Sequence, residues 1–442
     1  MLSGTATAGG AAALVVSTYD LGRFPAEAWA VAQRLAAAGW SATLCDTSIE
    51  PFDLDTAAGA GLVVWSLPMH TATRLALPLI DAVRERSPGG RQVAFGLYAE
   101  LNAALLARRG VDRFEGAPLV RGAGWLGAPP PLERYARLVQ PDGGERLVGA
   151  VAASSGCRHR CRHCPVVPVF DGRFRAAAVD AVLAEVEALI GRGARHVTFT
   201  DPDFLNGPAH AARVAAAVHG AFPDVTFDVT ARVDHLLGGR ALLDRLAADG
   251  CVLVTSAVES FDDVVLGRLG KDHRAADVAA LVAACRAAGV GLAPTFVPFT
   301  PWTTARSQLH LLDELGRLGL VEAVPPVQLA IRLLVSAGSR LLELPDVAGV
   351  AGPFDEGALA HPWRHRDPAV DELAERTLRA VRRAGAHPDG PDGRAAHHRA
   401  VHAALRALTA EAVAAEGYRP PAPEAAGPQP ATVPYLTEPW FC

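Results

Sequence analysis

The chain has 442 residues, half of them apolar, and a formal net charge of −5 at pH 7. That length provides for two or three domains with cores of their own, and the near-neutral charge without a basic stripe argues against a nucleic-acid partner. Apolar runs are strand-length, too short for a membrane span, and the start Met1-Leu-Ser-Gly-Thr lacks the basic flank and apolar core of a secretory signal, so a cytoplasmic protein is expected.

Short strands are expected at 12–17, 41–45, 61–66 and 92–96, with helices at 26–38, 71–87 and 101–109 between them. Gly39 is a natural end for the first helix. This βαβ rhythm over residues 10–125 predicts a doubly wound, Rossmann-like parallel sheet. Such sheets bind ligands beyond the carboxyl ends of their strands, here the loops 18–23, 66–70 and 96–100.

Residues 126–146, with Gly127-Ala-Pro-Pro-Pro131, look like a linker. A strand at 147–153 then runs into a cysteine-rich loop. Alternation resumes with strands at 196–200, 226–231, 252–257, 291–297 and 327–334, and helices at 177–192, 209–222, 240–250, 275–289 and 304–318 between them. Six βα units over 147–343 are too few for an eight-fold barrel. Residues 344–418 add a small helical extension with helices at 367–383 and 394–416. The stretch 419–442 is a Pro-rich linker followed by an apolar tail ending Glu438-Pro-Trp-Phe-Cys442.

The sequence has seven cysteines, and three crowd into Cys157-Arg-His-Arg-Cys161-Arg-His-Cys164. Cys45, Cys251 and Cys285 sit in apolar surroundings as core residues, so the pattern fits a reduced compartment with a metal site. A CxxxCxxC loop can wrap three corners of an iron–sulfur cube and leave one iron open. The motif resembles the signature of the radical S-adenosylmethionine (radical SAM) superfamily. The resemblance implies a [4Fe–4S] cluster on Cys157, Cys161 and Cys164, with SAM chelated at the open iron. An electron then splits SAM to methionine and a 5′-deoxyadenosyl radical. It also implies that the six units form a partial (β/α)6 TIM-type barrel, with the active site at its C-terminal strand ends. The residue before the third cysteine is usually aromatic in that family; here it is His163. With His159 it opens a rival, a closed Cys3His zinc site.

The same resemblance assigns further residues. Thr200-Asp201-Pro202-Asp203 follows the second barrel strand, where the family straps the SAM amino group; a helix-capping turn with Asn206 is the plain alternative. Glu259-Ser260 follows the fourth strand, where family members contact the ribose hydroxyls or methionine end of SAM. Arg232 and Arg332 end the third and sixth strands and are candidates to pair with the SAM carboxylate or a substrate anion, against surface salt bridges. Thr295 and Pro298 are expected near adenine.

Residues 10–125 resemble the cobalamin-binding domain that precedes many radical SAM cores, through their element order and the turns Ser66-Leu-Pro-Met and Phe95-Gly-Leu-Tyr. They lack the Asp-x-His-x-x-Gly loop that supplies the lower cobalt ligand, and His70 is their one histidine. Cobalamin is therefore not expected, and a domain kept for substrate access or assembly takes its place. The whole chain resembles a radical SAM family with a Cys-Cys-Ala-Glu-Pro or Cys-Sec-Ala-Glu-Pro tail. That likeness makes Cys442 the first residue of such a tail, cut at a selenocysteine codon, and a catalytic thiol. The expectation is a radical SAM enzyme acting on a small-molecule or peptide substrate, with ferredoxin or flavodoxin as electron donor. A non-enzymatic zinc or iron–sulfur sensor and a corrinoid carrier are the alternatives.

Overall fold

In a computed structural model, which describes residues 11–114, 129–387, 390–418 and 434–437, the N-terminal strands are β1 (Ala12–Ser17), β2 (Ser41–Asp46), β3 (Leu62–Ser66), β4 (Gln92–Phe95) and β5 (Val111–Arg113). Every residue of β3 and β4 is buried, as a parallel strand between two helical layers requires. All five pair in parallel in the order 2-1-3-4-5, so strand order reverses between β1 and β3. A ligand crevice is expected at that switch point. β5 escaped the sequence reading because it has three residues and only its first is buried, too short for a period.

The second sheet contains β6 (Arg137–Val139), β7 (Glu145–Val151), β10 (His196–Phe199), β11 (Thr226–Thr230), β12 (Cys251–Glu259), β13 (Gly291–Phe296) and β14 (Tyr435–Leu436). Its order is β13-β12-β11-β10-β7-β6-β14. A separate hairpin, β8 (Ser154–Gly156) with β9 (Phe174–Ala176), carries the cysteine loop between its strands. Residues 137–146, expected as linker, instead form most of an antiparallel hairpin in which β6 extends the barrel sheet. The turn is local, with Gly143 at φ +84°.

The barrel is partial, as expected, but its sixth strand is reduced to one bridge pair, Phe299 with Arg332. Consecutive prolines explain this. Pro325 and Pro326 lead into a 3₁₀ turn, Pro326–Ala330, because proline fixes φ and offers no N–H to a ladder. Helices Val179–Gly191, Pro208–Ala221, Arg240–Ala248, Ala275–Ala288 and Ala305–Arg317 cover the outside of the sheet. Outward residues such as Val197, Phe227, Val229, Val254 and Phe296 are buried against them, while their neighbours in sequence face the lumen.

The extension forms two long helices, Pro368–Ala384 and Gly390–Ala415, close to expectation. The second lies along Ala305–Arg317, with His402 Nε2 2.9 Å from Leu312 O and Arg406 paired to Asp313. Tyr435–Leu436 docks antiparallel on β6, so the described part of the tail joins the barrel sheet. No described helix is long and apolar enough to cross a membrane.

Candidate functional site

The cysteine loop is held by groups at the next strand end. Gly156, immediately before Cys157, has φ +75°, and a Cβ there would meet Arg173 O at 2.4 Å, so only glycine fits. Asp201 accepts hydrogen bonds from Ala153 N (2.8 Å, Oδ2) and Ser154 Oγ (Oδ1), tying β10 to the start of the loop. Burial pushes its carboxyl up to about 6 against those bonds. Both side-chain oxygens are engaged, so the Asp201 carboxylate anchors the loop. Asn206 does similar work: its Oδ1 accepts from Arg158 N at 3.1 Å and lies 3.5 Å from Cys157 Sγ. Sequence reasoning saw Asn206 only as a turn residue.

Around the thiols the sequence-predicted residues meet. Arg232 NH1 donates to Cys161 Sγ at 2.9 Å, and the buried guanidinium is held by Asp234 (2.8 Å) and Asp272 (2.7 Å). Arg232 is therefore committed to a cluster cysteine instead of standing free for a carboxylate. Burial raises the Cys157 thiol and pushes Cys164 up to about 12, with the neighbouring thiolates adding to it. Such thiols ionise when a metal replaces the proton. Three converging thiols with a charged donor on one sulfur fit a [4Fe–4S] cluster, whose sulfurs accept N–H bonds.

Each histidine of the loop has a ring nitrogen turned to a protein group. His159 Nε2 lies 3.0 Å from His235 Nε2, and its Nδ1 faces Asp272 at 3.5 Å. Beyond His235, Nδ1 is 2.8 Å from the buried Asp203, which also caps the turn at Leu205 N (3.0 Å). His163 Nε2 lies 3.1 Å from Glu259 Oε1.

Glu259 ends β12 at φ +67°, a left-handed conformation unusual outside glycine that turns it back over the loop. Burial opposes its charge, yet Lys271 Nζ at 3.2 Å and His163 outweigh that and hold its carboxyl well below the usual range. Both partners sit on Oε1. Oε2 makes no hydrogen bond among the described residues. Ser260, also buried, accepts from Asp262 N at 3.0 Å. Pro202 is exposed at the rim. Arg332 is not at the site: it pairs with Asp371 (2.8 Å) and stacks on Trp363 (4.2 Å), fastening the extension to the barrel. Cys442 lies outside the described residues.

Two cavities adjoin the barrel strands, of which the first reaches the start of the cysteine loop. A crevice of about 420 Å³ lies between the switch point of the first sheet (Asp20, Arg23, Pro68, Gly96) and the loop at Ser154–Gly156, Thr200 and Pro202. The loops expected at 18–23, 66–70 and 96–100 thus do face a cavity. His70 is not among its lining: Nε2 is 2.8 Å from Ala358 O. The second cavity, about 150 Å³, is the barrel lumen, lined by Thr198, Asp228, Thr230, Thr255 and Thr295 and closed by Arg394 and Tyr435. Thr295 is therefore in a cavity as expected. Asp228 and the polar inner face went unnoticed, although polar residues at every second strand position were the available signal.

Residues 151–301 match the radical SAM superfamily. Over 136 residues the chain is 32% identical to the ribosomal protein uS12 methylthiotransferase RimO of Alkalilimnicola ehrlichii, covering 28% of this chain and 30% of that protein. The chain thus spans under a third of this curated relative. In solved structures its fold resembles TsrM of Kitasatospora setae, a radical SAM methyltransferase (TM-score 0.59, 16% identity, 84% of this chain and 89% of that one). It also resembles the cobalamin-dependent radical enzyme OxsB (TM-score 0.67, 11% identity, 91% and 72%). The radical SAM match thus covers residues 151–301, most of the barrel, and the two-part fold of the whole chain is similar to those of TsrM and the cobalamin-dependent OxsB. Nothing in these likenesses favours a closed sensor site.

Proposed function

We propose that the protein reductively cleaves S-adenosylmethionine at a [4Fe–4S] cluster held by Cys157, Cys161 and Cys164, to begin radical chemistry on a substrate in the adjoining barrel. The observation that carries this is one loop that brings three thiols close enough to act on one another electrostatically, with the Arg232 guanidinium on Cys161 Sγ. When bound, the cluster supplies one electron and an iron site for SAM. The chain's own residues do the rest. Arg232 donates to Cys161 Sγ, and its positive charge favours the reduced cluster. Asp201 and Asn206 hold the loop in shape. Glu259, kept ionised by Lys271 and His163, leaves Oε2 for a donor such as a ribose hydroxyl. The small inner face of the barrel excludes bulk water from whatever fills it.

An acidic one-electron donor such as ferredoxin or flavodoxin fits the arginines of the loop, Arg158, Arg160 and Arg162. The reading needs no corrinoid, since His70 is turned to Ala358. Cys442, if delivered by the tail strand docked on β6, would add a thiol to the reaction.

The test is anaerobic reconstitution with iron and sulfide, reduction with dithionite, addition of SAM and assay of 5′-deoxyadenosine. Formation that disappears in Cys161→Ala supports the proposal. Tight zinc with no cluster and no cleavage overturns it.

A further inference from the structure

The inner wall of this barrel is built from small and hydroxylated side chains. Thr198, Thr230, Thr255, Ala293 and Thr295 face inward from β10 to β13, where a closed TIM barrel is filled by branched apolar residues. Mid-strand in that wall sits Asp228, 4% exposed, at a position where aspartate is disfavoured and a buried carboxylate is costly. Its surroundings are lopsided. His196 Nε2 (2.9 Å) and Thr198 Oγ1 (2.5 Å) both reach Oδ1. Oδ2 makes no hydrogen bond among the described residues.

The network extends behind the imidazole. Thr226 Oγ1 is 2.8 Å from His196 Nδ1. A hydroxyl that donates to Nδ1 leaves Nε2 to donate to Asp228 Oδ1. A purely structural pair would have both carboxylate oxygens satisfied.

The same cavity holds the opposite charge. Arg394, 8% exposed, donates from NH1 to Glu322 O at 3.0 Å and lies over the Tyr435 ring at 4.3 Å. No carboxylate pairs with it among the described residues. A buried carboxylate with one open oxygen and a buried guanidinium without a direct ion pair line one space of about 150 Å³, enough for a small organic molecule. Between them, the hydroxyls of Thr230, Thr255 and Thr295 make no hydrogen bond among the described residues and can serve as donor or acceptor.

We propose that the lumen binds a small zwitterion of the amino-acid class, its ammonium on Asp228 Oδ2 and its carboxylate on Arg394. This deepens the proposed function and rests on it for the identity of the occupant as substrate; the binding claim itself does not need turnover. The experiment is isothermal titration calorimetry on the reconstituted full chain with each of the twenty standard amino acids. Every binder is then repeated as its 2-hydroxy acid and as its decarboxylated amine. At least one amino acid should bind, both analogues should bind at least tenfold more weakly, and Asp228→Asn and Arg394→Gln should each weaken binding at least tenfold. Thr255→Leu, which fills the cavity without touching either charge, should abolish it, and a circular dichroism melt of each variant separates lost binding from a lost fold. No binding by any amino acid, or affinity unchanged in both charge variants, overturns the proposal. A wild-type chain that binds an amino acid but never yields 5′-deoxyadenosine would sink the enzyme reading alone.

Discussion

In the N-terminal sheet both faces of β3 and β4 are buried apolar surface, whereas in the barrel only the outer face of the strands is. The two sheets share one strand–helix rhythm and the same parallel pairing. They differ at alternate positions: Leu62, Val64 and Val63 fill the first, while Thr230, Thr255 and Thr295 leave the second hollow. The first can receive a ligand only at its strand ends. The second can receive one within it.

The strand-end carboxylates of the two regions should respond to pH with opposite sign, and this is the largest expected effect. Glu259, in the barrel, has a folded pKa below its ordinary 4.5, so its stabilisation is present above that value and is lost as pH falls. Glu259→Gln should cost about 3–5 kcal/mol at pH 7 by leaving Lys271 buried and unpaired. Asp20, at the end of β1, is pushed up to about 6 by burial, so its contribution is full below pH 3.8 and is lost as pH rises through 6. Asp20→Asn should therefore gain stability at pH 8 relative to pH 5, by no more than about 3 kcal/mol. Urea denaturation across pH 4–9 reads both, and profiles of the same sign would break the comparison.

Next in size is the packing contrast. Leu62→Ala should cost about 2–5 kcal/mol, since the residue is fully buried in β3. Thr255→Val on the lumen wall should stay within about 0.5 kcal/mol. Equal losses in guanidinium melts would mean that the lumen is ordinary core.

The smallest effect sharpens the barrel side alone. Arg232→Gln removes a positive charge and an N–H bond from Cys161 and should lower the cluster's midpoint potential by tens of millivolts, where about 59 mV is a factor of ten for one electron. An EPR-monitored redox titration that shows no shift would deny Arg232 its tuning role.

Much of this architecture was legible in the chain. The cysteine spacing located the centre, and apolar runs punctuated by helix-length segments located both sheets. Legibility failed where the deciding interaction is remote. Arg232 and Cys161 are 71 residues apart, and no local pattern says that the guanidinium points at the sulfur. The Asp201 carboxylate likewise turns back to Ala153 and Ser154, 48 and 47 residues earlier, which no local pattern shows. The sixth strand was misjudged because the apolar run 327–334 outweighed the two prolines before it.

Those prolines have a consequence at the open side of the barrel. β13 is the last strand of its sheet, and a bare parallel edge is a template for another chain's backbone. Here Phe296 N donates to the side chain of Gln328, at 3.1 Å, from within the 3₁₀ turn that Pro325 and Pro326 impose. A side-chain amide thus stands where a foreign strand would add, and the irregular turn guards the protein against edge-to-edge aggregation.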